Sequence, residues 1–265
     1  YKFKKININN HETFFGYYDN SPINKSNKYL IFHSTDYSTK NKPSVGKPIK
    51  VVLFDFINDE VVKEIPINAY NWQQGAKLQW IDETNFIFND YDKNRDRYIS
   101  KIVNSVLGEI VRIVDYPIYD VKNNIALSLN FDRLRILTPD YGYRNRGIAI
   151  DINNIENDGI YLIDLENNTS ELIISLKDVV QIHNKFCPEG SMHWFNHIMI
   201  SPNGEKFMFL HRWLLKNRRY DALFVADIDG NNLKFIANND MVSHCFWKNN
   251  YEIVSFMRNQ IYGDK

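Results

Sequence analysis

The sequence predicts an all-β chain, a β-propeller of four-stranded blades, on three observations. A hairpin pattern recurs four times, and a second strand–turn–strand pattern precedes each copy. No long stretch of 3.6-residue apolar periodicity interrupts them. β-Branched and aromatic residues dominate the apolar runs, as strands require. A β-sandwich or a set of small separate β-domains is the alternative architecture.

The elements follow in order. In the first blade SPINKSNKYLIFHSTD, from Ser21, precedes VVLFDFINDEVVKEIPI, from Val51. In the second, LQWIDETNFIFNDYD from Leu78 precedes ISKIVNSVLGEIVRIV from Ile99. The third pairs YDVKNNIALSLNFD, from Tyr119, with IYLIDLENNTSELIISL, from Ile160. The fourth pairs ISPNGEKFMFLHRW, from Ile200, with LFVADIDGNNLKFIA, from Leu223. Each segment alternates apolar and polar residues about an acidic, Asn or Gly turn, which reads as a hairpin. Two hairpins make one blade of roughly 40 to 60 residues. A fifth unit opens with CFWKNNYEIVSFMR at Cys245 and lacks its second hairpin. The expectation is one propeller domain over residues 1–265, with about five blades visible and the last incomplete. A complete ring is then expected to hold about six or seven. The third blade carries an insertion between Phe131 and Gly159, too long for a hairpin loop. Loops of that length in compact domains tend to be functional.

The chain has 265 residues, 44% hydrophobic and 24% charged, which suits an ordinary globular protein. Its 32 basic and 32 acidic residues cancel, so no global field draws it to nucleic acid, and no nucleic-acid motif is present. No apolar run approaches the ~18 residues of a membrane span. Cys187 and Cys245 are too few for a disulfide framework and lack zinc-motif spacing. A reducing, cytoplasmic location is expected, or a periplasmic one if a leader preceded Tyr1.

Five of the seven histidines fall between His183 and His244. His197 and His244 open the first strands of consecutive blades, the strands that line a propeller's channel. There they are candidate ligands for Mn²⁺ or Zn²⁺, or residues bonding to neighbouring backbone. His211 ends the second strand of its blade, beside Arg212, whose guanidinium suits a substrate carboxylate. His193 and His183 flank the loop KFCPEGSM, and His33 at a strand end reads as structural. The insertion interleaves Arg133, Arg135, Arg144 and Arg146 with Tyr141 and Tyr143. Such a run fits an anionic sugar through ion pairing and ring stacking, or a solvated loop. Trp72, Gln73 and Gln74 open the second blade, where a ring and two amides suit sugar hydroxyls or loop backbone.

From His197 to Phe256 the chain resembles the oligogalacturonate lyases. The shared frame is His197 before Ser201-Pro202, His211 near Trp213, the turn Asp229-Gly230, and His244-x-Phe246-Trp247. The Ser-Pro and Asp-Gly parts are general to TolB-like periplasmic propellers. The opening half, through HETFFGYYDNSP and NWQQGAKLQW, is similar to propellers of bacterial surface polysaccharide. The resemblance implies a divalent metal, manganese in the family, held by His and Gln, and a base that abstracts the proton α to a uronate carboxylate. On that reading His197 and His244 hold the metal, with His211 or His193 nearby as the catalytic group. Arg212, with Arg144 or Arg146, neutralises the carboxylate of an acidic oligosaccharide or polysaccharide. The family pattern has a second His two residues after the His-x-Phe-Trp His and a Gln three before it; Phe246 and Met241 stand there. The alternative function is a non-catalytic propeller that binds glycan or protein partners in surface-polysaccharide assembly.

Overall fold

A computed structural model of the chain describes residues 5–6, 8, 10–43, 46–147, 149–238, 241–259, 261 and 263–264. The all-β class is as expected: the described residues form four four-stranded antiparallel sheets and one of three strands. Each is an up-and-down meander, the form of a propeller blade. By contact density the chain divides into two compact units, Tyr1–Pro117 with Thr138–Ile148, and Ile118–Leu137 with Ala149–Lys265.

The first unit holds two sheets. One runs β1 (Glu12–Phe14), β2 (Tyr29–Thr35), β3 (Ile49–Asp55), β4 (Glu60–Ile67). The other runs β5 (Gln79–Trp80), β6 (Asn85–Asp92), β7 (Arg97–Asn104), β8 (Glu109–Val114). The middle strands are buried along almost their whole length and the outer strands β4 and β8 are largely exposed. Ile31, Val51, Leu53, Phe86 and Phe88 form the core of this unit, and Phe14 and Trp72 pack on its edge.

The second unit holds the remaining sheets. Its first comprises β9 (Asp120–Lys122), β10 (Ile125–Leu129), β11 (Gly159–Asp164) and β12 (Thr169–Ser175). Helix α1 (Phe131–Leu137) interrupts it within the insertion, and α2 (Leu176–Ile182) follows it. Ser175 caps α2 through a reciprocal box with Asp178, each side chain bonding the other residue's backbone N–H. The next sheet is β13 (Met192–Ile200), β14 (Lys206–Leu215), β15 (Arg218–Asp227) and β16 (Lys234–Ala237). The last is β17 (Val242–Trp247), β18 (Ile253–Asn259) and β19 (Gly263–Asp264).

One local code closes three of the outer hairpins. Asp55, Asn104 and Asp164 each accept from the backbone N–H groups two and three residues on. Asp59, Gly108 and Asn168, four residues on, take left-handed φ of 61°, 67° and 56°. The Asx acceptor starts the turn, and an Asp, Gly or Asn tolerates the positive φ that ends it.

The opening of the first blade departs from the sequence expectation. The strand lies at Glu12–Phe14 rather than in SPIN, where Ile23 makes an isolated bridge to Leu30. The insertion is partly ordered as α1, and its residues Thr138–Ile148 belong to the first unit.

Candidate functional site

Two arrangements of side chains carry chemistry, one in each unit. In the first, the turn Asn71–Gly75 is closed by backbone hydrogen bonds in both directions, at 3.1 and 2.9 Å. It lifts Trp72 to the surface beside β1. The indole meets Phe14 edge-on with ring centroids 5.4 Å apart, and Tyr70 and Tyr37 support it at 5.1 and 5.9 Å. Its Nε1 donates to the Asn41 carbonyl at 2.7 Å, which fixes the ring plane. Trp72, Phe14, Thr13, Glu12 and Thr39 line a cleft of about 400 Å³. Glu12 Oε2 accepts from the Thr39 N–H and hydroxyl at 2.8 and 2.6 Å. These bonds hold its carboxyl below the usual range, so it is an ionised acceptor at neutral pH.

The floor of this cleft rests on His33. Phe14 stacks on its ring at 4.8 Å, and its Nε2 accepts from Ala76 N at 3.1 Å. Burial pushes its pKa down to about 4, so the ring is neutral and structural. Gly75 is required beneath it: a Cβ there would lie 2.2 Å from His33 Cε1.

The second arrangement is a chain of four groups in the other unit. Cys187 Sγ lies 3.2 Å from His183 Nδ1, and His183 Nε2 lies 2.9 Å from His211 Nδ1. His211 Nε2 then lies 3.0 Å from His193 Nδ1. Each contact needs one proton between its two atoms, so the groups run head to tail. Trp213 stacks on His211 at 5.3 Å, while Phe224 and Phe235 close on His183 at 5.0 and 5.6 Å. Burial in this apolar wall lowers all three imidazole pKa values, that of His193 to about 4, and pushes the Cys187 thiol up to about 12. For His193 and His211 the neighbouring histidines act in the same direction, and Arg133 adds to this at His193. All four groups are therefore neutral at pH 7.

His211 and His193 come together, with His183 and Cys187 added. His183 and Cys187 are four residues apart around the turn Asn184–Phe186, a His-x-x-x-Cys spacing readable in the sequence. His197 and His244 stand at equivalent points, as the repeat requires. Both have left-handed φ, 52° and 49°, where β13 and β17 shift register at bulges. The His197 N–H donates to Tyr119 Oη at 3.0 Å and to Asn196 Oδ1 at 2.8 Å. His244 Nδ1 lies 2.9 Å from Ser243 Oγ. Among the described residues the one group of three or more His, Cys, Asp or Glu donors that converges is His183, Cys187 and His211. Neither His197 nor His244 belongs to it.

Several expected substrate contacts are made inside the protein. Arg212 is 3% exposed and its Nε donates to Asp221 at 2.6 Å. Tyr143 is fully buried, with its hydroxyl accepting from Asn89 Nδ2 at 2.8 Å. Arg146 lies over the Tyr98 ring and 3.6 Å from Asp96. Arg133 is buried against Asp158 and three backbone carbonyls. Gln74 is buried within the turn, whereas Gln73 is exposed beside Trp72 and Arg144 is half-buried. Glu12, Phe14 and Thr39 complete the cleft from distant parts of the sequence, and no local spacing announces them.

No family model matches the chain, and no curated protein sequence does. Among solved structures it is similar to the hydrazine synthase of Kuenenia stuttgartiensis, at 9% identity and a TM-score of 0.51. That alignment covers 89% of this chain and 60% of the other, so the chain spans well under two thirds of its length. An oligogalacturonate lyase in complex with manganese aligns at 11% identity and a TM-score of 0.44, over 88% of this chain and 68% of that one. The oligogalacturonate lyase of Vibrio parahaemolyticus aligns at 11% and 0.43, over 91% and 70%. The likeness is one of fold.

Proposed function

We propose that the chain is a glycan-binding protein of the propeller class whose saccharide site is the cleft at Trp72. The observation that carries this reading is the pairing of two accessible rings with a fixed carboxylate. Trp72 and Phe14 offer apolar faces to the C–H side of a sugar ring. Glu12, held in place by Thr39, accepts from hydroxyls at its edge, and the exposed Gln73 follows Trp72 in the chain with donors and an acceptor. Among the described residues the lining contains one carboxylate and no Lys or Arg, which favours neutral or amino sugars over uronates.

Elimination from a uronate, the activity that the sequence resemblance implies, needs a cationic group to neutralise the substrate carboxylate. Arg212, expected in that role, is buried against Asp221. Binding is therefore the reading proposed, and catalysis is left to the following test. Neutral hexose, amino-sugar and galacturonate oligosaccharides are titrated into the chain by calorimetry, with tryptophan fluorescence in parallel. Binding of at least one neutral or amino sugar is expected, weakened at least tenfold in Trp72→Ala and about as much in Glu12→Gln. Saccharide binding that both variants retain overturns the assignment of the cleft. Preferred binding of galacturonate, with release of an unsaturated product, restores the lyase reading.

A further inference from the structure

We propose that His183, Cys187 and His211 form a binding site for a thiophilic divalent cation of the zinc type, with His193 positioning His211. The family resemblance implies manganese on His197 and His244, and the converging donors are a different set with different chemistry. A thiolate with two imidazoles is a borderline-soft set that favours Zn²⁺ or Co²⁺ over Mn²⁺. One ligand atom from each of the three residues lies within 4.8 Å of the others. Zinc bonds of about 2.3 Å to sulfur and 2.0–2.1 Å to nitrogen place tetrahedral donors ~3.3 to 3.6 Å apart. The contacts at 3.2 and 2.9 Å use opposite nitrogens of His183, so with one nitrogen per histidine the donors, within 4.8 Å of one another, must draw together to reach that spacing.

In the arrangement described, His183 turns opposite ring nitrogens to Cys187 and His211, and protons occupy the places between them. Binding releases one proton, that of the thiol, and each imidazole keeps its own on the nitrogen that does not coordinate. The Cys187 thiol loses its proton to solvent as the sulfur–metal bond forms, and His183 rotates about its ring bond to bring one nitrogen to the shared centre. His211 coordinates through Nδ1, which directs its Nε2–H to His193 Nδ1, 3.0 Å away. A second imidazole orienting the first is the usual outer support of a metal-bound histidine. Three protein donors leave one tetrahedral position for a water. The cation has a short path in. His183 and Cys187 are 4% and 9% exposed, but residues 184–186 and 188–190 around them are all exposed.

The test uses the whole chain, stripped by chelator and titrated with Zn²⁺ and, separately, Co²⁺. One equivalent of either is expected, with a sulfur-to-cobalt charge-transfer band and a rise in Tm on adding zinc. Cys187→Ser, close in shape to the native residue, should lose the band and bind zinc at least tenfold more weakly. His193→Gln should keep the stoichiometry with affinity lowered about 10- to 100-fold. The double variant His197→Ala/His244→Ala should bind as the wild type does. Circular dichroism of each variant separates lost binding from lost folding. No stoichiometric binding by the wild type, meaning a hydrogen-bonded relay only, overturns the proposal. So does Mn²⁺ bound more tightly than Zn²⁺, or binding lost in the His197/His244 variant and kept in Cys187→Ser.

Discussion

Gly75→Ala tests how rigidly the cleft is built. Gly75 has φ of +60°, where an alanine is strained by about 1–2 kcal/mol. Its new Cβ would also lie 2.2 Å from Cε1 and 2.7 Å from Nε2 of His33. That ring is fully buried, stacked on Phe14 and bonded to Ala76 N, so it cannot swing into solvent. Displacing it adds an overpacking cost of about 1–3 kcal/mol. Losing the buried hydrogen bond from Ala76 adds ~1–3 kcal/mol more where both occur in full. The total expected is roughly 3–8 kcal/mol. Gly46→Ala is the matched control, since φ there is +78° and nothing lies within 4 Å of its Cβ. It should cost only the backbone strain, about 1 kcal/mol. Urea unfolding followed by circular dichroism measures both, and removal of the ring in a His33→Ala background should shrink the Gly75→Ala cost towards that of Gly46→Ala. Equal costs for the two glycines in the wild-type background would refute the close approach.

Two further perturbations act through buried charge. His33 has a folded pKa of about 4 against an ordinary value of 6.5, so above pH 6.5 it is neutral in both states and costs nothing. As pH falls from 6.5 to 4 only the unfolded chain takes the proton, and stability drops by about 3 kcal/mol from this group. His33→Gln, which keeps an acceptor for Ala76 N, should flatten that part of the unfolding free energy against pH, and parallel profiles would contradict it. Arg133→Ala strands Asp158, 9% exposed in its side chain, without the guanidinium 2.5 Å away, and should cost ~3–5 kcal/mol by the same unfolding assay. A cost under about 1 kcal/mol would place Arg133 among screened surface ions instead.

The hairpins were legible because their determinants are local. Asp55 with Asp59, Asn104 with Gly108 and Asp164 with Asn168 write the turn within five residues, and the strands on either side follow by alternation. The capping box Ser175-x-x-Asp178 is equally local, at the end of a segment that alternates as a strand. The first strand escaped because 14 residues separate β1 from β2, so no tight turn announces the pairing. Helix α1 is too short, at seven residues, for its period to show. Burial of the insertion was hidden for a different reason. Arg133 and Tyr143 read as surface ligand-binding types until Asp158 and Asn89, far along the chain, are brought to them.

The recurrence of histidine has two separate origins. His197 and His244 repeat because the blade repeats: each occupies the left-handed residue of a bulge in a first strand, and Lys77, just before β5, holds the same conformation at φ 52°. Histidine is among the side chains enriched at positive φ, so a common backbone demand accounts for the pair without a shared ligand. His183, His193 and His211 do not occupy equivalent points of any repeat. They meet because a turn after α2 folds back on β13 and β14, and the bonds they make are specific to that turn. In the first unit the same division holds, since Glu12, Thr39 and Trp72 come from an edge strand and two loops. The repeat thus supplies a rigid frame, while the groups with chemistry stand where individual blades depart from it.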